Sequence, residues 1–179
     1  MNIEFKPIYN ECEVFRNDVR RVLSIAVNET FGDFEDESAN PEEVIADADI
    51  DMTMQQPSEE VYFIEIDKVR VGAIALNINT ESDGGCRGKL DLFIIYPEYH
   101  SKGYGTKIIQ AIEQKYPEVR VWELITPYFE KRNIHFYVNK CGYKIVEFFN
   151  AKHIDKAYSE RRGDMRSFEK EYFRFEKEV

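Results

Sequence analysis

The spacing of the apolar residues changes near Pro97, and this change limits the possible folds more than any other feature of the sequence. Residues 90–96 form a short apolar run typical of a buried strand, whereas the isoleucines within residues 108–112 recur at helical spacing. Residues 119–125 form the next strand-like run. A strand, a helix and a strand in close succession predict two parallel strands joined by a right-handed crossover.

Similar patterns on both sides of this segment predict an α/β fold. The runs at residues 61–66 and 69–78 are joined by Asp67 and Lys68, which indicates an antiparallel hairpin. Residues 79–88 are rich in Gly, Ser and Asp and predict a turn. The other predicted elements are strands at residues 3–8, 143–149 and 171–177, and helices at residues 14–27, from Asn40 onward and at residues 129–140. The length of 179 residues predicts one domain spanning residues 1–179.

The charge of the chain restricts its partners. With a formal net charge of -10 at pH 7, the chain lacks the surplus of Lys and Arg that phosphate neutralisation requires, so we expect no nucleic-acid partner. The acids are concentrated between Asp33 and Asp51, a stretch without Lys or Arg. Such a run is either a solvated surface or a collar that attracts a cationic amine.

Three further observations concern membranes, disulfides and metals. The apolar runs are far shorter than the roughly 20 residues of a membrane-spanning helix, and the acidic segment around Glu4 does not resemble a signal peptide. The three cysteines match neither a disulfide framework nor a zinc module, and the three histidines are scattered. We therefore expect a cytoplasmic protein that has no membrane partner and binds no metal.

The residues between the predicted strand and helix, YPEYHSKGYGTK at positions 96–107, have the composition of an anion-binding loop. The start of a helix leaves backbone N–H groups without partners, and the helix dipole favours an anion there. Gly103 and Gly105 would let the main chain approach phosphate oxygens, while Thr106 and Lys102 would add a hydroxyl donor and a charge. Alternatively, the glycines only form a tight turn.

Two common phosphate-binding motifs do not fit this loop, whereas a third one does. Ile108 stands where a dinucleotide fingerprint requires a third glycine, and the Gly-Lys-Ser/Thr of a P-loop is absent. The loop resembles the pyrophosphate loop of the Gcn5-related N-acetyltransferase (GNAT) superfamily, Gln/Arg-X-X-Gly-X-Gly/Ala, which here reads HSKGYG at positions 100–105. Residues 133–143, NIHFYVNKCGY, resemble the second signature of that family, an aromatic-Tyr-Glu-Lys-X-Gly-Phe helix end.

Three positions depart from the family pattern. His100 replaces Gln or Arg, so that either its ring nitrogens provide the bonds that order the loop or the affinity for the diphosphate is modest. Val138 stands where Glu is common, and we expect this change to affect the surface more than the chemistry. Residues 151–163 are longer than a minimal member needs, so they would be able to cover the acceptor site.

The resemblance implies a GNAT-type α/β fold with a mixed, partly splayed central sheet and helices on both faces. It implies an acyltransferase that moves an acetyl group from acetyl-CoA to an amine of a small molecule or peptide, with a homodimer as a further possibility. The alternatives are a sensor that binds acetyl-CoA without turnover and a module whose glycine loop is only structural. The residues implied to bind the coenzyme are Ile95 through its backbone, His100, Ser101, Lys102, Gly103, Tyr104, Gly105, Thr106 and Asn133.

Acetyl transfer to an amine requires a base for the amine proton and an acid for the departing thiolate. Tyr137 stands where many family members place the phenol that protonates the thiolate; otherwise it is a core aromatic residue. Asp91 lies on the strand before the loop and would accept the amine proton, or would only pair with a neighbouring strand. Glu123 and a water molecule are the other candidate bases, and Asn133 would contact the coenzyme or cap its helix.

Overall fold

The computed structural model describes residues 1–9, 12–31, 47–55, 58–82, 84–155 and 171–179. They belong to two compact units, Met1–Ile78 with Leu90–Lys115 and Asn79–Lys89 with Tyr116–Val179. None of the described helices combines the length and the apolar character needed to cross a membrane. The prediction that the whole chain forms one domain stays a prediction.

Strands and helices follow one another in the predicted order. The strands are β1 (Ile3–Pro7), β2 (Glu59–Ile66), β3 (Val69–Thr80), β4 (Cys86–Ile95), β5 (Val121–Pro127), β6 (Lys144–Phe149) and β7 (Tyr172–Glu178). The helices are α1 (Cys12–Phe31), α2 (Asp47–Gln55), α3 (Tyr104–Lys115) and α4 (Lys131–His135). The pairs β1–β2, β2–β3, β5–β7 and β6–β7 are antiparallel. The α/β class is therefore confirmed, whereas the splay and the placement of helices on both faces stay predictions.

In the first unit the strands are neighbours in the order β1-β2-β3-β4. Asp67 and Lys68 have positive φ angles of 51° and 70°, as a two-residue turn between twisted strands requires. Ile66 and Val69 on either side of this turn are paired. The predicted hairpin is confirmed.

Helices α1 and α2 pack on the sheet of this unit and bury an apolar cluster. Its buried members are Phe15, Val19, Val22, Ile50, Phe63, Ala73, Ile94 and Tyr96. The two helices are also joined by an ion pair in which Arg16 Nε lies 2.6 Å from Asp51 Oδ1. The predicted start of the second helix at Asn40 lies outside the described residues.

The end of β4 is held closely against β3. The N–H of Tyr96 donates to the carbonyl of Val71 at 2.9 Å. A side chain at Gly72 would place its Cβ 2.1 Å from the carbonyl oxygen of Ile94, so glycine allows this close approach of the backbones. This contact gives a fixed starting point to the segment that follows, which contains the glycine loop (residues 100–106).

Strand β4 begins earlier than predicted. The turn was expected to extend through Gly88, whereas the strand begins at Cys86. Within the second unit, a Cβ at Gly88 would lie 2.4 Å from the ring of Trp122, which is fully buried. Glycine at this position therefore makes room for an indole ring, and the prediction of a turn is wrong from Cys86 onward.

In the second unit the strands are neighbours in the order β5-β7-β6. Leu124 pairs with Phe175 and Glu123 with Glu176, and consecutive residues of a strand point to opposite faces. Leu124 and Phe175 are buried. On the other face, Arg87 Nη1 lies 3.1 Å from Glu176 Oε1 and 3.9 Å from Glu123 Oε2. Residues 156–163 of the predicted long connection lie outside the described residues.

Candidate active site

The glycine loop begins shortly after β4 ends and leads into α3. After Ile95, a 3-10 turn spans Pro97–Tyr99, and the fixed φ of its proline suits the first position of such a turn. The N–H of His100 donates to the carbonyl of Pro97 at 3.0 Å, which closes the turn. The loop therefore starts from a local structure that the backbone itself stabilises.

The ring of His100 connects the loop to the end of β4. Its Nε2 lies 2.7 Å from the carbonyl oxygen of Ile95. Because a carbonyl oxygen only accepts hydrogen bonds, Nε2 carries the hydrogen and donates it. A bond of this kind orders the loop. It agrees with the first alternative for His100, in which the ring nitrogens replace the bonds of the usual Gln or Arg.

Two residues of the loop have left-handed backbone conformations. The φ angle is 60° at Ser101 and 72° at Gly103. For a residue with a side chain, such as Ser101, this conformation costs roughly 1–2 kcal/mol. A Cβ at Gly103 would meet no described atom within 4 Å. The exposed backbone around Gly103 is thus open to an approaching ligand.

The loop contains a row of unpaired hydrogen-bond donors. Within the described part of the chain, no group accepts a hydrogen bond from the backbone N–H of Ser101 or Gly103, whereas the N–H of Lys102 closes the turn at His100 and Ser101. The hydroxyls of Ser101 and Thr106 also have no partner there. The first N–H groups of α3 lack intrahelical partners, as at any helix start. Such a row of donors suits an anion with several oxygens, for example a diphosphate.

Two aromatic side chains stack on each other across the first part of the loop. Tyr99 and Tyr104 stack with their ring centroids 6.3 Å apart, and Lys102 Nζ lies 4.9 Å from the ring centroid of Tyr99. Gly105, the second residue of α3, is buried, whereas Gly103 is exposed. The two glycines of the motif therefore differ in exposure, and only Gly103 is open to a ligand.

Two residues of β4, Asp91 and Ile95, were predicted to act near the reacting groups. The side chain of Asp91 is half-buried. The role predicted for Ile95 depends on the direction of its backbone groups. The backbone groups of consecutive strand residues point to opposite edges, and the N–H of Tyr96 points to β3. The N–H and carbonyl groups of Ile95 consequently point away from β3. There the Ile95 carbonyl accepts the bond from His100.

In the second unit, Tyr137 lies on a π turn, Phe136–Lys140, that directly follows α4. The prediction of one regular helix over residues 129–140 is therefore wrong in its second half, and π turns occur frequently at functional sites. The ring of Tyr137 is buried and packs against Tyr143 and Phe175 at centroid distances of 5.8 and 5.9 Å. No feature of the sequence distinguished this turn from an α-helix.

The hydroxyl of Tyr137 makes no hydrogen bond to any described residue. Buried tyrosine hydroxyls usually have a partner, so this phenol is available to a ligand. Burial raises the pKa of Tyr137, because it disfavours the charged phenolate. The phenol therefore keeps its proton at neutral pH, as a general acid must.

Glu123 lies on the face of β5 away from Tyr137. The ring of Tyr137 packs on Phe175, which pairs with Leu124, and Leu124 and Glu123 point to opposite faces. Burial raises the pKa of Glu123. A raised pKa makes this carboxylate a better proton acceptor, provided that it stays ionised at the working pH.

Asn133 lies on α4 and is half-buried. The N-cap residue of α4 is Glu130, and no side chain caps this helix. The prediction that Asn133 caps its helix is therefore wrong. Its side chain has no hydrogen-bond partner among the described residues, so a contact with the coenzyme stays a prediction.

Most of the acidic run between Asp33 and Asp51 lies outside the described residues. Asp51 itself is paired with Arg16. In the described ranges, no three His, Cys, Asp or Glu residues form a group able to hold a metal ion.

The strand, the glycine loop with its unpaired donors and the helix that follows define the class of a coenzyme-binding α/β protein. Residues 18–143 match the acetyltransferase (GNAT) family. The uncharacterized protein YrkN of Bacillus subtilis (strain 168) is 45% identical over 139 residues, which cover 78% of this chain and 71% of that protein. The chain belongs to the acetyltransferase (GNAT) family.

Solved structures share the fold at low identity. A Bacillus subtilis acetyltransferase in complex with CoA aligns with a TM-score of 0.63 at 16% identity, over 99% of this chain and 98% of that one. Spermidine N-acetyltransferase from Vibrio cholerae, in complex with CoA and spermine, aligns with a TM-score of 0.61 at 12% identity, over 98% and 95%. The predicted family, the GNAT fold class and the acyltransferase class are confirmed, whereas acetyl-CoA as co-substrate stays a prediction. The roles of individual residues stay predictions.

Proposed function

We propose that this protein transfers the acetyl group of acetyl-CoA directly to the amine of a small molecule or peptide. The observation that carries this proposal is the row of unpaired N–H donors in the glycine loop. A diphosphate offers several charged oxygens to such a row, whereas a neutral ligand does not. Membership of the acetyltransferase family supplies the acetyl chemistry.

In this proposal the first unit binds the coenzyme mainly through its backbone. The N–H groups of the loop and of the first turn of α3 bind the diphosphate. Lys102 adds a positive charge, and the hydroxyls of Ser101 and Thr106 add donors that no described residue uses. Further proposed contacts with the coenzyme are those of Ile95, Gly103, Tyr104, Gly105 and Asn133.

The proposed reaction forms a C–N bond and breaks the C–S bond of the thioester. The amine nitrogen attacks the acetyl carbonyl, one amine proton passes to a base, and the departing thiolate takes up a proton. Tyr137 is the proposed acid, because its hydroxyl is protonated and unpaired among the described residues. No covalent intermediate with the protein is needed.

Asp91 is the proposed base, with Glu123 and a water molecule as the alternatives. Asp91 is half-buried on β4, close in sequence to Ile95. Burial raises the pKa of Glu123, which favours proton acceptance, but this carboxylate lies on the face of β5 away from Tyr137.

We propose a cationic amine as the acceptor. The formal net charge of -10 supports this choice, since a negative field attracts cations and raises their association rates. The Vibrio cholerae enzyme of the same fold, whose structure contains spermine, is an N-acetyltransferase of the cationic amine spermidine.

A thiol-release assay across a panel of amines tests the proposal. We expect free CoA to form faster with spermidine and spermine than with neutral amino acids. This preference should shrink with salt, because the Debye length falls from about 10 Å at 0.1 M to about 3 Å at 1 M.

Two other results would assign a different function. Binding of acetyl-CoA without thiol release from any amine would indicate a sensor. Absence of any binding of acetyl-CoA would mean that the glycine loop is only structural.

A further inference from the structure

We propose that His100 is a positioning residue, whose ring holds the glycine loop in the conformation that binds the diphosphate. The ring does this by donating its Nε2–H to the carbonyl of Ile95. The inference rests on the proposed function, because it concerns the same coenzyme site. It assigns His100 an indirect role, in which the ring orders the loop and does not contact the coenzyme.

The ring is anchored to a fixed part of the unit. Ile95 is the last residue of β4, and the next residue, Tyr96, is buried and bonded to Val71 of β3 at 2.9 Å. The carbonyl of Ile95 points away from β3, so it accepts the ring N–H without competing with that pairing. The distance of 2.7 Å from Nε2 to this oxygen is typical of a strong hydrogen bond.

The residue that follows the anchor is the strained one. Ser101 has a φ of 60°, which is unfavourable for a residue with a side chain. Such a conformation persists only where the surrounding structure enforces it. Without the bond from His100 to Ile95, Ser101 would relax towards negative φ, and the N–H groups of Ser101 and Gly103 would turn away from their common ligand. The bond therefore lowers the ordering cost of binding.

Substitutions of different length test the role of the Nε2 atom. The amide nitrogen of a Gln side chain is as many bonds from Cα as Nε2 of His, whereas that of Asn is one bond closer. We expect His100→Ala and His100→Asn to raise the Kd for CoA by about five- to tenfold, the effect of one lost hydrogen bond. We expect His100→Gln to restore the affinity to within about twofold.

Two controls separate this role from a general loss of structure. His153→Ala removes another histidine bond of 2.7 Å, to Glu147, and should leave the Kd for CoA unchanged. Pantetheine lacks the diphosphate, so all His100 variants should bind it as the wild type does. Calorimetry with CoA and with pantetheine measures both.

Nitrogen NMR of the wild type gives a readout that requires no variant. In the neutral ring of His100, we expect the hydrogen on Nε2 and not on Nδ1. Equal affinity of wild type and His100→Ala for CoA, equal rescue by Asn and Gln, or an Nδ1–H tautomer would each overturn the inference and leave the proposed function standing. If the wild type does not bind CoA, the proposed function is wrong and the inference falls with it.

Discussion

The glycine loop and the π turn differ in the groups that give each its chemistry. In the loop, the binding groups belong to the backbone, with positive φ at Ser101 and Gly103 and with N–H groups that no described residue uses. In the π turn, one side chain is decisive, because Tyr137 is buried among aromatic rings and its hydroxyl is unpaired there. The loop is exposed and strained, whereas the π turn is packed.

This difference predicts how each region responds to substitution. A site made of backbone groups depends on conformation, so a change in φ preference should alter affinity even where no side chain contacts the ligand. A site made of one side chain depends on a single atom. Changes in the loop should therefore affect the binding of acetyl-CoA, and changes at Tyr137 should affect turnover.

The largest expected effect is that of Tyr137→Phe. Removal of the hydroxyl should lower turnover by about 10²–10⁴-fold, the usual contribution of a general acid. The Kd for acetyl-CoA should stay close to that of the wild type, because the loop is untouched. Steady-state rates at saturating acetyl-CoA, together with calorimetry, measure the two effects separately.

Tyr143→Phe is the matched control for this prediction. Tyr143 is also buried, and its ring lies 5.8 Å from that of Tyr137. It should retain wild-type turnover, because no role in the reaction is proposed for it. If both variants lose turnover equally, the effect comes from the aromatic cluster and Tyr137 is not the acid.

The two regions also differ in how far the sequence predicted them. Glycine spacing and the start of a helical pattern predicted a loop that leads into a helix, and this much is confirmed, whereas Gly105 is buried in α3 and does not lie in the open loop. The position of Tyr137 came from a resemblance, because a π turn of five residues does not change the apolar spacing detectably.

Other features required contacts between residues that are distant in sequence or unusual for their type. Gly88 was assigned to a turn because its requirement for a small residue comes from Trp122, on another strand. The φ of 60° at Ser101 was not predicted, since serine is not a residue typical of that conformation. The bond of His100 to Ile95 was one of two alternatives, and only the folded loop distinguishes them.

The second prediction concerns affinity and uses two glycines in the same conformation. Gly103 and Gly84 have φ angles of 72° and 81°, and a Cβ at either would meet no described atom within 4 Å. Both Gly→Ala variants should therefore lose roughly 1–2 kcal/mol of folding stability. Only Gly103→Ala should weaken binding of acetyl-CoA, by about tenfold, or about 1.4 kcal/mol.

Thermal unfolding and calorimetry check this pair. Equal affinity of the two variants for acetyl-CoA, at equal loss of stability, would show that the loop does not hold the diphosphate. Gly105→Val is a less informative test of the loop, because Gly105 is buried in α3 and a larger residue there would also disturb packing.

The smallest expected effect concerns the stability of variants at Ser101. There the Gly variant should be more stable than the Ala variant, which reverses the usual order. Both substitutions remove the hydroxyl, so their difference reports only the backbone. At the left-handed φ of 60°, Ala keeps a strain of roughly 1–2 kcal/mol that Gly relieves, while Gly loses about 0.5–1 kcal/mol in chain entropy. Ser101→Gly should therefore be more stable than Ser101→Ala by up to about 1.5 kcal/mol. At Ser24, inside α1, the order should be opposite, with Ala favoured by about 1 kcal/mol. Denaturant unfolding of the four variants measures both differences, and the same order at both positions would show that Ser101 is not strained.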